Sequence, residues 1–159
     1  MRVTDLVVKE ETGLTPLSVS ADRLGHAAIR CAGLLAKLAE QGQVVDRSGG
    51  DQIVEVYPAA SLSAWGLPFR GYKRPGDTAS LRGLADELSG LAPWLDFGDA
   101  DLVCWSRHHA LDAVIAALTA GAADRNLTLR PRTDTETAAA STEGWVAIPL
   151  PGSELSQLP

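Results

Sequence analysis

At 159 residues the chain has the size of one domain and can bury a sizeable core. Its 14 Lys and Arg are outnumbered by 20 Asp and Glu, and the formal net charge of −6 excludes a broad non-specific nucleic-acid surface, which needs clustered cations to displace counterions from phosphates. A composition that is 45% hydrophobic and 21% charged excludes a disordered chain, the N-terminus lacks the apolar run of a signal peptide, and the longest apolar stretch, around 113–123, falls short of a membrane span, so a cytoplasmic globule is expected.

The opening segment is broken by Gly13 and Pro16. Ser20 or Asp22 then caps a predicted helix whose apolar face carries Leu24, Ala28, Cys31, Leu35 and Leu38, with Gly42 as its stop. Gly49-Gly50 turns the chain into a strand over 52–58, rich in β-branched residues and closed by Pro58, with Val54 and Val56 facing opposite to Ile53, Glu55 and Tyr57. A short helix over 59–65 ends at Gly66, and 67–76 is a loop punctuated by proline and glycine that carries Tyr72 and Lys73. Asp77 or Thr78 caps the next helix, with Leu81, Leu84, Leu88 and Leu91 as its stripe and Pro93 at its exit. Ser106 caps a further helix reaching toward Gly121. Beyond it the chain reads as irregular and polar, including a Thr/Ala-rich patch over 133–142, until a candidate strand at 144–149. Residues 1–150 form one expected α/β domain and 151–159 a loose tail. Cys31 and Cys104, far apart and in apolar contexts, read as reduced core thiols.

The helix that begins at Ser106 is the most informative stretch. Leu111, Val114, Ile115 and Leu118 form one apolar stripe, while His109, Asp112, Ala116 and Thr119 line the neighbouring one. His108 and His109 stand four and three residues before Asp112, within side-chain reach on a helix. A carboxylate beside an imidazole can ligate a metal, act as an acid-base pair, or be a hydrogen-bonded pair at a helix start, and spacing alone leaves all three open. Arg70, Lys73, Arg74 and Arg82 make the densest basic patch, and Arg125, Arg130 and Arg132 another; a solvated surface is the simplest reading of each. The four tryptophans, Trp65, Trp94, Trp105 and Trp145, read as core and edge packing.

Five phrases, in order along the chain, resemble the predicted RNase H-like nucleases grouped as domain-of-unknown-function family 429. They are Arg2-Val-Thr-Asp5; Val54-Glu-Val-Tyr-Pro-Ala-Ala60 with Trp65-Gly66; Gly71-Tyr-Lys73; His108-His-Ala-Leu-Asp112-Ala113 with Ala117-Leu-Thr-Ala120; and Glu143-Gly-Trp-Val146 with Ile148-Pro149. The chain is also distantly similar to bacterial Holliday-junction resolvases, in which a His-x-x-Asp pair followed by Ala contributes to a magnesium site. The resemblance implies an RNase H-like α/β fold and hydrolysis of a phosphodiester by two Mg²⁺ (or Mn²⁺) ions, about 3.5–4 Å apart. On that reading Asp112 holds metal, and His109, or else His108, is its partner there, either ligating the ion directly or supporting the carboxylate from behind. Glu55 is either a ligand or the partner of Lys73 or an arginine. Lys73 and Arg2 are candidate substrate contacts, each with a structural role as its alternative, and Asp5 caps or pairs with Arg2.

The same resemblance places Arg2-Val-Thr-Asp5 well inside longer relatives and makes 53–57 the fifth strand of the sheet. An N-terminally truncated, incomplete sheet is therefore expected. It would be completed by an upstream segment, another polypeptide or self-association, since open strand edges are pairing templates. Nucleic acid is the partner implied. The alternatives are a non-catalytic interaction remnant and a binder of a nucleotide or small phosphate ligand, which suits the acidic charge.

Overall fold

A computed structural model describes residues 1–17, 24–50 and 52–158. It is mixed α/β and mostly helical. Among the described residues are α1 (Val3–Thr12), α2 (Gly25–Glu40), α3 (Pro58–Ala64), α4 (Thr78–Leu91), α5 (Asp101–Ser106), α6 (His108–Asp124) and α7 (Asp134–Glu143). Two short strands, β1 (Glu55–Val56) and β2 (Val146–Ala147), pair in a parallel two-stranded sheet. The chain divides into two compact units, Met1–Glu55 with Arg130–Val146, and Val56–Leu129 with Ala147–Pro159. No helix among the described residues is long and apolar enough to cross a membrane.

In the first unit α1 packs on α7. The opening segment, which had no predicted helix, forms α1 because the Arg2 backbone N–H donates to Asp5 Oδ2 at 2.9 Å, and because Gly13, at φ 69°, ends it in the left-handed conformation. The Thr/Ala-rich patch expected to be irregular is α7. Its start is a reciprocal cap in which Thr133 Oγ1 accepts from Glu136 N and the Glu136 carboxylate accepts from Thr133 N. Val7, Ala140 and Trp145 make a small core, and Trp145 N donates to Arg47 O at 2.8 Å. Gly49 is obligatory against that indole: a Cβ there would stand 2.9 Å from Trp145 Cδ1, at a backbone φ of 87°.

Helix α2 forms over the expected stretch, while its expected caps, Ser20 and Asp22, lie outside the described residues. None of its residues is buried, and Ile29 and Leu34 are 72% and 63% exposed. Cys31 is accordingly exposed, a correction to its reading as a core thiol, whereas Cys104 is buried and its thiol pushed up in pKa by desolvation.

The second unit holds the main core, built on Leu62, Leu84, Leu88, Leu111 and Ile115. Pro58 closes the strand as expected and at once opens α3, where its missing N–H costs nothing. Asp77 is the cap of α4, accepting from Ser80 N at 3.0 Å, and Leu81, Leu84 and Leu88 turn inward while Leu91 faces solvent. The Thr119 hydroxyl donates to Ile115 O at 2.8 Å and shares a 2.9 Å hydrogen bond with Ser61, tying α6 to α3 with both of these buried hydroxyls satisfied.

Three expectations about this part are corrected. Ser106 does not cap α6: its hydroxyl donates back to Leu102 O at 2.6 Å, it ends α5, and extended Arg107 separates the two helices. The strands expected over 52–58 and 144–149 shrink to two residues each, because β-branched residues favour a pleated surface only where a neighbouring strand is there to pair. Beyond β2 the described residues of the second unit add an isolated antiparallel bridge, Thr128 with Pro149, flanked by Leu129 N to Ile148 O and Leu150 N to Leu127 O, both 2.8 Å. The segment expected to be a loose tail buries Leu155 and Leu158, and Trp94 Nε1 donates to Leu155 O at 3.0 Å.

Candidate functional site

Burial of Leu111 fixes the rotation of α6 and leaves the next residue, Asp112, at the margin of the core facing the loop before α4. That loop delivers Tyr72 and Lys73. The Tyr72 hydroxyl donates to Asp112 Oδ1 at 2.8 Å, and Lys73 Nζ donates to Asp112 Oδ2 at 2.7 Å. The lysine side chain is 44% exposed and the carboxylate 20%, so the pair sits at a wet rim and its net worth in stability is small. Tyr72 is buried, only 2% exposed. Burial, then the hydrogen bond and charge of Asp112, raise its pKa well above the ordinary 10.0.

That shift has a defined sign. A phenol whose folded-state pKa is raised contributes stability that is whole below about pH 10 and is lost as pH climbs toward the folded value. Tyr57, raised by burial, acts in the same direction. Urea unfolding of the wild type should therefore weaken progressively above pH 10.0, and Tyr72→Phe should make that decline shallower while costing about 1 kcal/mol at neutral pH. Identical slopes for the two proteins would remove Tyr72 as the group responsible.

The histidines do not take the place that spacing offered them. His108 and His109 pack on each other with ring centroids 4.0 Å apart, and neither is hydrogen-bonded to Asp112. Both line a cavity of about 370 Å³ together with Arg74, Asp77, Thr78 and Arg107.

The other sequence candidates meet in the first unit. Arg2 grips Glu55 with both arms of its guanidinium, Nη1 to Oε2 at 2.8 Å and Nη2 to Oε1 at 2.6 Å. It also donates to Asp5 Oδ1 at 3.1 Å and to Glu143 O at 3.3 Å. Hydrogen bonding to Glu55, ahead of the desolvation that opposes it, raises the Arg2 pKa further. Of the alternatives for Glu55, pairing with an arginine is the one seen, and Arg2 has four acceptors around it. The arrangement is a structural clamp that pins the start of α1 to the end of α7, where Val3 N also donates to Glu143 Oε2 at 2.9 Å.

The structure thus gathers Arg2, Asp5 and Glu55 in one set and Lys73 and Asp112 in another, in different units. Sequence reasoning gave no role to Tyr72, Arg107 or Glu143. Tyr72 and Glu143 lie within the family-like phrases, which was the available signal; Arg107 had none beyond its place beside the histidines. Magnesium is hard, octahedral and held by oxygen. Among the described residues no group of three or more His, Cys, Asp and Glu converges, both Asp112 oxygens accept from Tyr72 and Lys73, and both Glu55 oxygens accept from Arg2. The residues described do not fit a two-ion site.

A family model described as "Protein of unknown function (DUF429)" matches residues 1–137. The chain belongs to the DUF429 family. That match takes in Arg2, Glu55, Lys73, His109 and Asp112, so both side-chain sets belong to the DUF429 part of the chain. No curated protein and no solved structure matches the sequence.

Proposed function

We propose that this DUF429 chain has an RNase H-like fold and acts on phosphodiesters as a nuclease, with Asp112 as its key acid and Lys73 as a phosphate contact. One observation carries the reading: a carboxylate on a core helix holds a half-exposed lysine beside a cavity lined with arginine and histidine. Such a lysine is positioned by Asp112 yet keeps two of its three protons free for an anion. Asp112 supplies one carboxylate, and a metal-dependent cut by Mg²⁺ or Mn²⁺ requires more acids than converge here.

A second reading is favoured by the same engaged carboxylate: binding of a nucleotide or other small phosphate ligand without hydrolysis. The two separate in one experiment. The protein is incubated with branched, single-stranded and RNA–DNA hybrid substrates in Mg²⁺ or Mn²⁺, beside Asp112→Asn. Metal-dependent cleavage reduced at least about 100-fold in the variant is expected from the nuclease reading. Absence of both cleavage and metal-binding heat in the wild type would overturn it.

A further inference from the structure

We propose that the cavity lined by Arg74, Arg107, His108 and His109 is a binding site for a phosphate monoester. Its volume of about 370 Å³ holds a phosphate with part of an attached sugar, at the small end of ligand sites. Two separate segments build it, the loop that precedes α4 and the break between α5 and α6, so the four side chains converge through the fold rather than through sequence proximity. Neither Arg74 nor Arg107 makes an ion pair among the described residues, in contrast to Arg2, Lys73 and Arg132, each of which is held by a carboxylate. The acid in the wall, Asp77, caps α4: its oxygens accept from Ser80 N at 3.0 Å and Ser80 Oγ at 2.8 Å, and these bonds, followed by the nearby charge of Arg74, keep its pKa low, so of the two arginines Arg107 is the one with no acid acting on it in this wall.

The chemistry of the lining selects the ligand. Guanidinium forks match phosphate oxygens two at a time, and imidazole N–H groups add further donors. Two permanent cations suit the double charge of a terminal phosphate better than the single charge of a diester. The apolar element, Leu81 with Pro75, offers a face for a sugar or base. The first turns of α4 and α6 both border the space and add a modest positive field.

The monoester has two sources, a 5′-phosphorylated nucleic-acid end and a free phosphate ligand. The first rests on the nuclease reading and names the strand end as what that site holds; the second does not depend on it. The test is binding without divalent metal, so no cleavage can intrude. Inorganic phosphate is titrated calorimetrically into the full chain, and anisotropy compares 5′-phosphorylated with 5′-hydroxyl single-stranded oligonucleotides of one sequence. Phosphate binding is expected, with affinity lowered about tenfold by Arg74→Gln and by Arg107→Gln. Arg70→Gln, outside the lining, should leave it unchanged. Preference for the phosphorylated oligonucleotide assigns the site to strand ends; phosphate binding without that preference assigns it to a free ligand. No phosphate binding, or binding indifferent to both substitutions, would overturn the site. Neither outcome depends on whether the protein cleaves, so the fate of the nuclease reading is recorded separately.

Discussion

Leu111→Ala is expected to lower the unfolding free energy by about 2–5 kcal/mol. Leu111 is fully buried among Leu62, Leu84, Leu88 and Ile115, on the helix that α3, α4 and α5 all touch. Truncation removes three carbons from a close-packed interior and leaves a void that surrounding helices can fill only in part. The position also precedes Asp112, so a relaxed α6 would loosen the carboxylate's hold on Tyr72 and Lys73. Urea unfolding at neutral pH measures the loss. A change below about 1 kcal/mol would mean that this interior is plastic, contrary to the packing described.

The second large effect lies in the first unit. Arg2→Ala should cost about 2–3 kcal/mol, because it leaves Asp5, whose side chain is only 10% exposed, with the backbone N–H of residue 2 but no counter-charge, and frees Glu55 from its two-armed grip. The figure stays below that of a fully buried pair since Glu55 is 34% exposed and recovers some hydration. Arg2→Lys should recover less than half of the loss, as an ammonium cannot reproduce the paired geometry at 2.6 and 2.8 Å while also reaching Asp5. A double-mutant cycle with Glu55→Gln, read by thermal unfolding, isolates the pair; a coupling near zero would show that the clamp holds nothing.

What the sequence revealed follows the range of the forces involved. Helices α4 and α6 were legible because an apolar stripe faces a core, and the same periodicity located α2. It could not show that the stripe of α2 stays uncovered, since amphipathicity marks which face is apolar and says nothing of whether a neighbour meets it. Helix α7 has no stripe, burying only Ala140, so its trace in the sequence is the Thr133-x-x-Glu136 cap. In the site, Lys73 and Asp112 were singled out but not joined. Local spacing favoured the histidines three and four residues back, whereas the partners chosen stand 39 and 40 residues away. Arg2 and Glu55, 53 residues apart, were likewise visible singly, with an arginine left open as one possible mate for Glu55.

The route of the backbone carries a last consequence. Each unit is made of two stretches distant in sequence, and the chain changes unit three times, within β1, after Leu129 and within β2. No single truncation isolates either unit free of the other's residues. A protease nick between Arg47 and Gly50 would likewise release nothing: Trp145 N remains bonded to Arg47 O, Val146 N to Thr4 Oγ1 and Val3 N to Glu143 Oε2 across the severed pieces. The cut molecule would migrate as one species under native conditions and fall into two fragments only when denatured.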